Sequence, residues 1–179
     1  MINSNIIISY EEIISKYNKL GSFYVSILKG IYGKEANFSI VPFKTKKFIS
    51  LNSYNNLSGL DYYKNKIGVY IFLDKNQVPV YIGVAGEENS RHSLKDRLQK
   101  QLNCNQSNST ISKNIAVIET ILQNREMNNE LNALKNLLLE YAPNFLVIEV
   151  GSIGDNEAAK KALELEVFLI ALFNSKYNK

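Results

Sequence analysis

Between residues 67 and 82 the chain spells two runs of branched and aromatic residues, Ile67-Gly-Val-Tyr-Ile-Phe-Leu73 and Val78-Pro-Val-Tyr-Ile82, around the polar stretch Asp74-Lys-Asn-Gln77. Runs of this kind on either side of a short polar turn make a β-hairpin, which needs further elements to bury its faces. Pro79 has no N–H to give to a ladder, so the second strand is expected at a sheet edge. A turn centred between Lys75 and Asn76 pairs residues whose numbers sum to 151 and sets Tyr70 directly opposite Tyr81. Gly68 and Gly83, near the strand ends, leave room for a backbone or a ligand to approach closely.

The rest of the chain supplies what the hairpin lacks. After a loop from Val84 to Asn89, a helix is expected from about Ser93 to Leu102, with Leu94, Leu98 and Leu102 on one stripe. A polar loop, Asn103 to Ser109, leads to two more helices at about 111–124 and 127–141. Phe145 to Val150 reads as a buried strand, and Asn156 to Phe173 as a strongly apolar final helix. This order predicts an α+β domain over residues 61–179, a small three-stranded antiparallel sheet flanked by helices. Residues 1–60 form an N-terminal extension. It opens with Ser9-Tyr-Glu-Glu12, a capping-box spacing ahead of Ile13, Ile14, Tyr17 and Leu20 at helical intervals. Phe23 to Ile31 fits helix or strand. Phe38–Phe43 and Lys47–Leu51 read as short strands or extended segments, and Asn52 to Gly59 as loop.

Composition excludes several classes. Of 179 residues, 45% are hydrophobic and 21% charged, which is globular rather than disordered usage. No apolar run approaches the roughly 18 residues of a membrane span, and the start lacks the basic and small-residue signals of a leader. One cysteine and one histidine exclude an internal disulfide and a Cys/His zinc site, and a cytoplasmic setting is expected. The net charge of +4 is unevenly placed: residues 1–66 hold nine Lys against four acidic residues, residues 67–179 twelve Lys and Arg against thirteen. A polyanion would be drawn mainly to the N-terminal third, although a Lys-rich solvated surface explains the charge equally simply.

Gly68-Val69-Tyr70 and Tyr81-Ile82-Gly83, with tyrosines eleven residues apart, resemble the paired triplets of the GIY-YIG nuclease family. Leu94-Lys-Asp-Arg97-Leu98 is similar to the arginine-bearing first helix of that family. On a helical wheel Arg97 lies about 60° from Leu94, at the rim of the apolar stripe, where its planar fork can reach a phosphate. Leu165-Glu166-Val-Phe-Leu169-Ile170, followed by Tyr177-Asn178, resembles the family's final helix, with asparagine twelve residues after the glutamate. Glu166 falls within about 40° of Ala159, Ala162 and Ile170, while Glu164 points toward Lys160 and Lys161. A carboxylate among apolar residues needs a partner or a cation.

The resemblance covers residues 67–178 and implies a DNA endonuclease dependent on Mg²⁺ or Mn²⁺. It implies Glu166 as the metal ligand, Tyr70 as general base toward water, Arg97 as the clamp on the scissile phosphate and Tyr81 as a positioning hydroxyl. Arg91, His92, Lys113 and Asn178 are the candidate substrate contacts. Ser109-Thr110 with Lys113 would suit a second phosphate at a helix start, although an ordinary N-cap explains the hydroxyls as well. Cutting both strands would favour a homodimer, since such a site handles one strand at a time. The chain departs from the family pattern at Val84, where a polar residue is common. It departs at Gln101, where His or Tyr is common, and at Ser175, where proline is usual. Gln101 cannot shuttle a proton, which leaves the base role to Tyr70 and makes His92 a candidate substitute. Two other readings stand: a module of the same fold that binds nucleic acid without cutting it, and an unrelated α/β interaction domain.

Overall fold

The computed structural model describes residues 39–51, 55–86, 92–104, 109–123 and 130–178. Four strands, β1 (Ser39–Lys44), β2 (Lys66–Leu73), β3 (Pro79–Ala85) and β4 (Asn144–Ser152), make one antiparallel sheet in the order β1-β4-β2-β3. Among the described residues four helices pack on it: α1 (Leu94–Leu102), α2 (Thr110–Gln123), α3 (Leu131–Tyr141) and α4 (Asn156–Phe173). Short 3-10 turns cover Thr45–Lys47 and Ser58–Tyr63. The architecture is α+β. β3 takes the expected edge and β2 lies inside the sheet, buried along nearly its whole length.

The sheet has four strands where three were expected. The additional one, β1, comes from the N-terminal extension and runs beside β4 from Ser39↔Glu149 to Lys44↔Asn144. Side-chain packing fixes it there. Phe43 stacks on Phe145 with ring centroids 5.1 Å apart, and Phe48 tilts onto the same ring at 5.6 Å. Thr45 then ties the strand end to the α3–β4 junction, donating from Oγ1 to Ala142 O at 2.6 Å. Lys47–Leu51, expected as a short strand or extended segment, forms no strand; Phe48 and Ile49 are buried in the core beside the turn.

The hairpin register also differs from the expected one. Tyr70 pairs with Gly83, and Phe72 with Tyr81, because Val80 is an extra residue bulged between the Leu73↔Pro79 and Phe72↔Tyr81 pairs. The turn explains the offset. Asp74 Oδ1 accepts from the N–H groups of both Asn76 and Val78 at 2.8 Å, and Gln77 takes the left-handed region at φ 63°. These bonds centre the turn on Asn76 and push the surplus residue into the strand as a bulge. Since the shift is two residues, each side chain keeps its expected face.

Both faces are covered. Phe43, Tyr70, Phe72, Tyr81, Phe145 and Val147 meet α1, α2 and α3 on one side. Val69, Ile71, Leu73, Ile82, Leu146 and Ile148 meet Ala162, Leu165 and Leu169 of α4 on the other. The helix starts follow their caps. Ser93 and Asp96 make a reciprocal capping box at α1, and the Asp155 side chain accepts from Ala158 N–H at α4. After α4, Asn174 turns the chain in the left-handed region, and residues 175–178 pass along the exposed edge of β3. Tyr177 N–H donates to Val80 O at 2.8 Å, using the carbonyl that the bulge displaces.

This terminal segment is clamped to α2. Glu119 accepts from Tyr177 Oη at 2.7 Å and pairs with Lys176, while Asn114 Nδ2 donates to Tyr177 O at 2.7 Å. Burial of Glu119 opposes its ionisation, but the hydrogen bonds from Lys176 and Tyr177 outweigh it and hold the carboxyl below its ordinary range. A depressed carboxylate contributes stability that is complete above its unfolded value of about 4.3 and vanishes as pH falls through the folded one. Glu119→Gln is therefore expected to lower urea stability at pH 7, with the gap to wild type closing below about pH 4. A gap that stays constant down to pH 3 would assign the glutamate no such linkage.

Candidate active site

Tyr70 stands at the centre. It projects from the middle of β2 into the layer between the sheet and α1 and is 2% exposed. Its ring crosses directly over Gly83: a Cβ placed on that glycine would lie 2.5 Å from the Tyr70 hydroxyl oxygen and from Cζ. The bulged register sets this pairing, so glycine is required at 83 by close approach of the phenol and not by turn geometry. Tyr81 lies diagonally across the strands on the same face, its ring centroid 6.3 Å from that of Tyr70. Gly68 has a separate reason. β2 and β4 slip register between Ile67 and Gly68, and a side chain at 68 would run into Ile148 O.

Arg97 and Glu166 come to the tyrosines from opposite sides of the sheet. Arg97 is carried half-buried on α1, whose rotation is fixed by the Ser93 cap and by fully buried Leu94 and Leu98. Glu166 is half-buried on α4, one residue past Leu165 in the stripe that packs under β2 and β3. The wheel correctly sets it beside buried Ala159 and Ala162. Glu164, expected on the solvated side, is half-buried as well. The charges of both Arg97 and Glu166 bear on both Tyr70 and Tyr81. Four residues from four elements are thus electrostatic neighbours.

Their field explains the state of the phenols. Burial drives Tyr70 far above the ordinary phenol range. The neighbouring phenol of Tyr81 adds to this, the hydrogen bond from Gln101 and the charge of Arg97 oppose it, and Glu166 raises it again. Tyr81 is raised too, chiefly by burial, against hydrogen bonds from Thr110 and Tyr70. At neutral pH both are neutral hydroxyls. Among the described residues no three His, Cys, Asp or Glu side chains cluster, and the carboxylate whose charge bears on both tyrosines is Glu166. Glu166 is the carboxylate there that could hold a hard cation such as Mg²⁺, which prefers oxygen ligands.

Three of the four candidate substrate contacts lie among the described residues. Arg91 is outside the described residues. His92 is exposed ahead of α1, with Nε2 3.3 Å from Lys100 Nζ and Asp96 also beside it. Lys113 is exposed on the first turn of α2. The Ser109 hydroxyl at that turn is engaged internally: it accepts from Ser112 N–H at 3.3 Å and donates to Gln101 O at 2.9 Å. Asn178 acts on the backbone. Its Oδ1 accepts from Ile82 N–H at 2.8 Å and its Nδ2 donates to Ile82 O at 2.6 Å, closing the open edge of β3 with one side-chain amide.

Two residues at the centre were not foreseen. Gln101, noted in the sequence only as a departure, is 5% exposed and donates from Nε2 to Tyr70 Oη at 3.2 Å. Thr110 hydrogen-bonds Tyr81 from the start of α2. Gln101 had a readable signal: it falls seven residues after Leu94, about 20° away on the wheel, so a polar group was bound to be buried there and to need partners. Thr110 offered none beyond an ordinary helix-start hydroxyl.

The Tyr70–Gly83 packing yields a direct test. Gly83→Ala should push the phenol out of its place while the flanking strands remain paired, so near-ultraviolet circular dichroism changes and the far-ultraviolet spectrum does not. The variant is expected to lose about 1–3 kcal/mol to overpacking in a urea melt. An unchanged melt and unchanged tyrosine signal would mean that the ring does not lie over Gly83.

Comparison of the chain with known protein families, curated proteins and solved structures found no significant match.

Proposed function

We propose that this protein is a divalent-metal-dependent endonuclease of the GIY-YIG type that hydrolyses DNA phosphodiester bonds. The observation that carries the reading is that the charges of Arg97 on α1 and Glu166 on α4 both bear on the paired phenols Tyr70 and Tyr81 of β2 and β3. Phosphodiester hydrolysis needs groups of this kind: a proton acceptor for the attacking water, a cation for the phosphate and an anchor for a metal. Exposed Lys44, Lys46 and Lys47, with the wider excess of lysine in residues 1–66, supply attraction for a polyanion.

In this reading Arg97 holds the scissile phosphate with its planar fork and takes up charge as it develops. Glu166 would hold the cation, which when bound supplies charge neutralisation at the phosphoryl group and the leaving oxygen. Tyr70 accepts a proton from the attacking water. Because burial keeps it a neutral phenol, it does so while handing its own proton on, or as a phenolate formed once positive charge has entered the site. Tyr81, held by Thr110, orients water or phosphate. The new P–O bond forms to the water oxygen, the bond to the leaving oxygen breaks, and the proton given up through Tyr70 passes by way of solvent to the leaving oxygen, which departs as an alcohol.

One observation favours a second reading, a module of this fold that binds nucleic acid without cutting it. Tyr70 is strongly disfavoured as a phenolate, and Gln101 beside it cannot titrate. Supercoiled plasmid with Mg²⁺ or Mn²⁺ separates the two. Wild type should nick it, EDTA should stop the reaction, and Glu166→Ala and Tyr70→Phe should each slow it by about 10²–10⁴-fold while still binding DNA. Folded wild type that binds DNA but leaves every plasmid and oligonucleotide substrate intact makes the binding module the correct description. Double-strand breaks appearing with second-order dependence on protein would add a homodimer.

A further inference from the structure

Gln101 occupies the last turn of α1, buried, with both ends of its amide engaged. An amide offers an accepting oxygen at one end and a donating nitrogen at the other, and its neighbours decide which way it points. Ile111 contributes a backbone N–H, which can only donate, and it lies 3.2 Å from Gln101 Oε1. Ser109 Oγ approaches the same oxygen at 3.5 Å. The oxygen must therefore face α2, and the nitrogen is left facing Tyr70 Oη at 3.2 Å. Turning the amide over would set two N–H groups against each other in a buried place and strand a donor there. The start of α2 thus dictates what Tyr70 receives.

We infer that Gln101 is a positioning residue that fixes the direction of the Tyr70 hydroxyl. Tyr70 Oη accepts from α1, so its own proton cannot be directed at Gln101. It is left for an acceptor on another side, where the Tyr81 ring lies with its centroid 6.3 Å from that of Tyr70. A histidine in its neutral form could either donate or accept at this place; the glutamine, locked by Ile111 N–H, can only donate. The substitution that looks like the loss of a proton shuttle is instead a fixed donor to the phenolic oxygen. It lowers the cost of negative charge on that oxygen and leaves proton transfer to the opposite side of the group. The catalytic part of this inference rests on the nuclease reading; the hydrogen-bond direction does not.

Gln101→Glu tests it, since the carboxylate is the same size and still accepts from Ile111 N–H but offers Tyr70 an acceptor in place of a donor. Gln101→Met, which can do neither, is the second variant. With ¹³Cζ-labelled tyrosine, the Tyr70 resonance should shift in opposite senses in wild type and Gln101→Glu, and lie between them in Gln101→Met. Plasmid nicking should fall on the order of tenfold to a hundredfold in Gln101→Glu, with DNA affinity within about twofold, as expected for one buried hydrogen bond acting in the transition state. A Tyr70 resonance unmoved in both folded variants overturns the assignment. So does an equal loss of nicking in both with no change at Tyr70, which would make Gln101 merely structural. Should wild type fail to nick at all, the nuclease reading falls, and the resonance still decides whether Gln101 is the donor.

Discussion

The ring of Tyr70 fills the space that any side chain on Gly83 would take, and much of the site follows from that exchange. It requires a central strand, so that the phenol is covered from both flanks. It requires the bulge at Val80, which brings Gly83 and not Tyr81 opposite. It also requires α1 above, so that Leu94 and Leu98 close the layer and Gln101 meets the hydroxyl. A phenol so placed is dry, and a dry phenol is a poor acid. The packing that gives Tyr70 one fixed position is what makes it costly to ionise. Arg97 and the Gln101 donor return part of that cost, while Glu166 adds to it. A cation beside Glu166 would reverse the sign of the last contribution.

The element order was legible because each element carries a local signal. α4 runs over the expected Asn156 to Phe173, and α1 starts behind Ser93, since helical periodicity and caps are written within a few residues. The edge position of β3 followed from a single proline that cannot donate. Register was not legible. Two backbone N–H groups donating to one carboxylate, Asp74, moved the centre of the turn by half a residue and forced a bulge six residues further on at Val80. Hydrophobic patterning survives a shift of two residues, so nothing in the alternation of Val, Tyr and Ile could warn of it. β1 was hidden for a different reason. Its residues read as extended either way, and what makes it part of the sheet is its pairing and aromatic packing with β4, about a hundred residues away.

The site residues divide along the same line. Tyr70, Tyr81, Arg97 and Glu166 were brought together by a resemblance of motifs, and the wheels added only that Arg97 and Glu166 stand beside the apolar stripes of their helices. Gln101 was compared with what other chains carry at that place instead of being read for where the helix points it. Burial and an unsatisfied amide were the stronger clues. His92 and Lys113 are exposed side chains, one ahead of α1 and one on the first turn of α2.

Asn178 shows how a fixed spacing can have a mechanical cause. Twelve residues separate it from Glu166: the last two turns of α4, a left-handed turn at Asn174 and three residues laid along β3. Its amide makes with Ile82 the two bonds that a neighbouring strand would make, and Tyr177 gives its N–H to the bulged carbonyl. An edge strand left open is free to slip or to pair elsewhere. Ile82 lies between the tyrosine and the glycine on which the packing of Tyr70 depends, so a slip there would carry Gly83 out from under the phenol. The terminal segment meanwhile reaches back through Glu119 to α2, whose first turn holds Tyr81 through Thr110 and Gln101 through Ile111. The helix that brings the carboxylate to the site therefore continues into the segment that keeps the strand beneath the tyrosines in register.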